Sequence, residues 1–213
     1  MNARNYQKEL EKVLLKVEQA KSEGGEAPRL FLHSCCAPCS SYVLQYLRRY
    51  FRITVFYYNP NISEQEEYRK RVEEQKRLIE IYNKEGSGVE DGYSISVVEG
   101  DYEPDVFFAM AKAYHDCPEG GERCFLCYEL RLKKTAECAA AAGFDYFCTT
   151  LSISPLKNAA KLNEIGERLA AEMGVRWLSS DFKKKEGYKQ SIALSKEYGL
   201  YRQDYCGCVY SKR

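Results

Sequence analysis

The sequence is poor in histidine, has no long apolar run and carries no charge imbalance, and each lack removes a class of protein. Two histidines among 213 residues, His33 inside an apolar run and His115 near a predicted helix end, argue against zinc sites that complete a cysteine knuckle with imidazoles. No window approaches the roughly 18 to 20 apolar residues of a spanning helix. The N-terminal stretch, MNARNYQKELEKVLLKVEQAKSEGG, places charges inside every apolar segment and so lacks the apolar core of a secretory signal. The expectation is a cytoplasmic chain without a membrane partner. Thirty-two basic against 31 acidic residues leave a net charge of +1, which excludes a globally basic nucleic-acid coat and still allows a local basic patch. No repeat, low-complexity segment or dividing linker is present.

Against these lacks stand ten cysteines. A chain of this length buries roughly 70% of its unfolded surface and needs no covalent staples. In a cytosolic domain, so many thiols point to metal or redox chemistry.

Apolar periodicity organises the rest. Leu10, Val13, Leu14 and Val17 recur at helical spacing in residues 6–20, and SEGGEAP then breaks the chain. Short apolar runs at 29–34, 53–58, 93–98, 146–151 and 175–178 read as strands. Between them lie predicted helices at 38–49, 63–82, 104–114, 122–142, 158–173 and 186–198. Ser63 with Glu66 has the spacing of a capping box, and Gly143, Gly174 and Gly199 stand where helices end. Strands alternating with helices predict an α/β fold: a Rossmann-like parallel sheet of about five strands with flanking helices, plus an N-terminal helix. Residues 1–28 are expected to form that helix and a break, and 29–213 a single catalytic domain.

In such a sheet, ligands sit beyond the carboxyl ends of the strands, and the cysteines fall where loops would leave them. Cys35 and Cys36 follow the first strand in SCCAPCSS, Cys124-x-x-Cys127 opens a helix, and Cys206-Gly-Cys208 lies in the tail. A C-x-x-C at a helix start turns both sulfurs the same way, and the helix dipole favours thiolates. A disulfide between Cys206 and Cys208 would close a very small, easily reduced ring, suited to redox cycling. Cys138 and Cys148 read as small core residues. Cys39 reads either as a ligand or as a helix-start core residue, and Cys117 has no partner at diagnostic spacing. With one C-x-x-C and two isolated histidines, the thiols favour Cys₄ ligation of a [4Fe–4S] cluster over zinc.

The stretches LHSCCAPCSSYVLQYL, YYNPNI with EYRKR, PEGGERCFLCYELRLKKTA, FDYFCTTLSISPLKN and DFKKKEGYKQSIALSKEYGLYRQDYCGC occur in that order across about residues 29–210. Together they resemble the cobalamin-independent epoxyqueuosine reductase family, QueH. The resemblance implies a nucleotide α-hydrolase-like fold and an enzyme that reduces epoxyqueuosine to queuosine at the tRNA wobble position. It implies a [4Fe–4S] cluster held by Cys35, Cys36, Cys124 and Cys127, with Cys206 and Cys208 as a redox-active catalytic pair. A second adjacent iron is implied too, for which the tail thiols are alternative ligands. An external electron donor is required. ATP is not expected, because thiols stand where ATP pyrophosphatases of this architecture carry phosphate-cradling glycines. Two other readings remain on the residues alone: an ATP-using tRNA thiolation enzyme, and a non-catalytic zinc module binding RNA.

Removing an epoxide oxygen takes two electrons, two protons and a group that stabilises the developing alkoxide. Asp181, Lys183, Tyr201, Asp204 and Tyr205 are candidate proton donors. Basic runs at Arg69–Arg71, Arg131 with Lys133 and Lys134, and Lys183–Lys185 are candidate phosphate contacts. Tyr57, Tyr58, Asn59 and the segment Ser154–Asn158 are placed for the nucleoside.

Overall fold

The structure, a computed structural model, describes residues 4–86 and 92–212; residues 1–3 and 213, at the ends of the two expected segments, lie outside it. The elements run α1 (Tyr6–Ser22), β1 (Arg29–His33), α2 (Ala37–Leu47), β2 (Arg52–Tyr57), α3 (Gln65–Glu85) and β3 (Ser96–Glu99). After these come α4 (Pro104–Ala111), α5 (Glu122–Ala141), β4 (Tyr146–Thr149), α6 (Ala159–Met173), β5 (Arg176–Trp177) and α7 (Gly187–Glu197). The five strands are all parallel, in the order β3-β2-β1-β4-β5. The chain winds outward from β1 to β3 and then crosses to β4 on the other side. The topological switch point therefore lies between β1 and β4, where open α/β sheets bind ligands.

The period of two along each strand divides the interior. Leu30 and Leu32 of β1, with Ile53, Val55 and Cys148, face a core built with α1, α2 and α3. Phe31, Phe56 and Phe147 face the opposite layer, formed by α5 and α6. Leu10, Leu14 and Val17 seat α1 in the first core, as their spacing predicts.

On α6, Gly166 lies so close to the Trp177 ring that a Cβ there would stand 2.3 Å from it. Trp177 cannot yield easily, because its Nε1 donates to Asn163 Oδ1 at 2.9 Å. Gly166→Ala is expected to destabilise the fold by about 1–3 kcal/mol through overpacking, despite the roughly 1 kcal/mol gain in helix propensity. Chemical denaturation checks this; an unmoved midpoint would mean that α6 shifts freely on the sheet.

Three local expectations are corrected. The Ser63 capping box does not form: α3 starts at Gln65, and Glu64 makes no side-chain cap. The Ser63 hydroxyl instead accepts from Val209 N at 3.0 Å, and its amide donates to Gly207 O at 3.0 Å, so the residue pins the tail. The strand expected over 93–98 starts later and runs Ser96–Glu99, because the Asn83 side chain takes both backbone groups of Ile95. The last strand shrinks to two residues.

Candidate metal centre and active site

β1 delivers its chain into a locked turn at the switch point. The Ser34 and Ser40 hydroxyls both donate to Gln75 Oε1, at 2.7 and 2.8 Å, and Asn59 Nδ2 donates to Ser34 O at 2.8 Å. Cys36 stays extended as the residue before α2, and Ala37 and Pro38 start the helix. Cys39 then lies one turn along, three residues from Cys36, on the same side. The sulfurs of Cys35, Cys36 and Cys39 all lie within 4.8 Å of one another, with Cys35 and Cys36 3.8 Å apart. Thiolates bound to one tetrahedral ion at about 2.3 Å stand roughly 3.8 Å apart, so the group could hold a metal. Hydrogen bonds from Cys35 and Cys39 push the Cys36 thiol well below its usual range. Cys35 is raised to about 11, foremost because its proton is held by Cys36, and Cys39 is raised as well.

A second set of thiols lines a neighbouring cavity. Cys124 and Cys127 come from the first turns of α5, and Cys206 and Cys208 from the tail. The larger cavity, of about 330 Å³, is lined by the first trio together with Tyr188, Ser191 and the segment Arg202–Cys206. Glu119, Lys157, Cys206 and Ser211 line both, so one wall joins the two thiol sets.

The tail is held there through its backbone. Arg71 Nη1 and Asn61 Nδ2 donate to Cys206 O at 3.2 and 3.3 Å, and Cys206 N donates to Ser211 Oγ at 3.1 Å. Gly207 makes the turn possible: its φ is +108°, and a Cβ would lie 2.9 Å from Ile62. All ten cysteines are free thiols, so Cys206 and Cys208 stand as a dithiol.

The electrostatics are unusual for an interior. Arg131 is 1% exposed, and among the described residues its guanidinium donates only to Asn59 Oδ1 and Asn61 Oδ1, at 3.0 and 3.1 Å. Its Nε and Nη2 are unpartnered, as is the buried Tyr128 hydroxyl. Burial alone would lower the Arg131 pKa, but Cys127, Cys206 and Cys35 reverse this and leave it raised. Lys157 shows the same pattern: burial opposes its charge, and Cys206, Tyr128 and Cys124 restore it. A buried cation without an anion costs several kcal/mol. Burial pushes the Cys127 thiol up to about 12, so that sulfur is neutral unless a metal takes its proton's place. The donor set and its cations therefore fit a thiolate-ligated metal centre of net negative charge.

Several expected site residues lie elsewhere. Tyr57 and Tyr58 are buried, their hydroxyls donating to Cys35 O and Glu103, Asn59 supports Arg131, and none of the three lines either cavity. Arg131 points inward, and Arg71, buried and paired with Glu67, lines the larger cavity. Lys183 pairs with Asp181 at 2.7 Å and Lys185 pairs with Glu11, which weakens that run as a phosphate contact. Tyr201 is tied to Glu67, whereas Asp204 and Tyr205 line the larger cavity. His33 is fully buried between Thr149 Oγ1 and Tyr58 O, and burial lowers it to about 3, so it bridges strands as a neutral ring. Cys148 is a core residue, and Cys117 lines neither cavity. Sequence reasoning missed the inward role of Arg131, yet a signal was there: it follows Cys124 by seven residues and Cys127 by four, on one helix face.

Fold and site together define a class: a parallel α/β protein with a thiol centre fit to hold metal at the carboxyl edge of its sheet. Residues 30–213 match the family described as Epoxyqueuosine reductase QueH. The chain is 41% identical over 209 residues to the epoxyqueuosine reductase QueH of Staphylococcus epidermidis, covering 97% of this chain and 84% of that protein. It is 39% identical to the QueH protein of Streptococcus pyogenes, over 87% of this chain and 71% of that one. To that of Thermotoga maritima it is 35% identical, over 85% and 89%. The chain belongs to the QueH family.

Proposed function

We propose that this chain, an oxidoreductase of the epoxyqueuosine reductase family, removes the epoxide oxygen of epoxyqueuosine in tRNA to give queuosine. Cys35, Cys36, Cys124 and Cys127 hold a [4Fe–4S] cluster, and Cys39 is the further thiol available to an adjacent iron. The observation that carries this reading is the group of three sulfurs, Cys35, Cys36 and Cys39, within 4.8 Å of one another, beside a cavity lined by Cys124, Cys127 and the buried Arg131. Bound there, the cluster supplies electrons one at a time. The reaction consumes two electrons and two protons and releases the oxygen as water, so an external low-potential donor is required. No ATP enters, since the loop after β1 offers thiols in place of a phosphate cradle.

The protein's own groups do the rest. The larger cavity receives the nucleoside, with Tyr188, exposed and among its lining residues, offering a ring to a base. Cys206, on the wall common to both cavities, relays reducing equivalents with Cys208. Exposed Arg69 and Lys70 on α3 remain for tRNA phosphates. The work is cytoplasmic; no helix among the described residues is long and apolar enough to cross a membrane.

Anaerobically purified protein, incubated with epoxyqueuosine-bearing tRNA and a low-potential reductant, is expected to be brown and to yield queuosine by nucleoside mass spectrometry. Chelation should abolish both colour and conversion. A colourless, zinc-loaded protein with full activity would overturn the cluster.

A further inference from the structure

Lys157 is the one buried lysine among the described residues, 9% exposed. It sits in the connection between β4 and α6, where the chain is fixed on both sides. Its amide donates to Ser154 O at 3.1 Å, and the Asn158 side chain caps α6 by accepting from Lys161 N at 3.0 Å. A side chain on so fixed a backbone is aimed rather than free. Lys157 lines both cavities, and the one carboxylate among the described residues that is bonded to its ammonium, Glu119, is 3.5 Å away. A cation held between a thiol centre and an open cavity, and only loosely paired, is available to a developing anion.

We propose that Lys157 is a catalytic residue, its ammonium meeting the epoxide oxygen as the carbon–oxygen bond breaks. The low-potential donor of the reductase supplies the two electrons, which leave the carbon framework as an alkene. As the first carbon–oxygen bond breaks, the electron pair stays on oxygen, and one N–H bond of Lys157 breaks as the O–H bond forms. A solvent proton completes water as the second carbon–oxygen bond breaks, and another restores the ammonium. The assignment rests on the nucleoside occupying the larger cavity.

Lys157→Met keeps the stem and removes the charge. Its kcat is expected to fall about a hundred- to ten-thousand-fold, with the KM for tRNA, the iron content and the visible absorption unchanged. Lys157→Arg should recover part of kcat. If Lys157→Met fails to fold, Lys157→Gln carries the same test. Turnover within a few-fold of wild type overturns the proposal, and so does loss of iron alongside activity, which would make the lysine a counter-ion of the metal centre. Tyr188→Ala separates the two readings, since it should raise the KM for tRNA while kcat holds. If neither constant moves in that variant, the nucleoside lies elsewhere and the placement fails, while iron-dependent deoxygenation still stands.

Discussion

Alanine in place of Cys124 is expected to give a folded, colourless protein with no measurable conversion of epoxyqueuosine. The thiol is half-buried in the first turn of α5 and packs at the margin of the core that α5 and α6 build, so its removal leaves the helix standing. Its sulfur accepts from Gly120 N at 3.3 Å, a backbone donor of the kind that supports a thiolate ligand. Losing one of four ligands exposes an iron to solvent and to loss, and the buried charge of Arg131 is then left without its anion. Cys138 provides the control on the same helix: Cys138→Ala should keep iron and turnover. Iron analysis, visible absorption and nucleoside mass spectrometry on both variants decide the matter. A brown and active Cys124→Ala protein removes that residue from the ligand set.

The order of helices and parallel strands could be read because each element buries a face whose period is written in its own residues. Leu30 and Leu32 alternate with Phe31 across β1, and Gly143 and Gly174 end their helices with φ of +67° and +71°. Caps and strand ends were less legible, since they are decided by distant partners. Ser63 was free to bond the tail, 146 residues away, and Asn83 displaced the start of β3. The cysteine groups were legible as groups because loops after parallel strands share one edge. Which thiols meet was not: Cys39 joins Cys35 and Cys36 through the first turn of α2, and Cys206 reaches the wall between cavities only because Gly207 turns the tail. Charged residues misled most. Arg71 and Arg131 sit in basic runs yet point inward, because the Glu67 carboxylate and the Cys206 carbonyl receive the first and the amide oxygens of Asn59 and Asn61 the second.

The double variant Cys206→Ala with Cys208→Ala should keep its iron and its visible absorption and lose turnover altogether. The tail does not depend on these sulfurs for its position. Ser63 holds Gly207 and Val209, and Arg71 and Asn61 hold the carbonyl of Cys206, all through the backbone. Removing the two thiols therefore leaves the roof of the larger cavity in place, and lost turnover reports lost chemistry rather than a lost lid. Cys206 is the thiol on the wall common to both cavities, whereas Cys208 is buried beside Phe107 and Cys127. Cys206→Ala and Cys208→Ala should each be as inactive as the double variant, because the pair releases its two electrons only as both thiols lose their protons and join in a disulfide. A single-turnover assay on pre-reduced protein measures this directly. Iron lost from the double variant would make the tail thiols ligands, and full turnover would exclude them from the reaction.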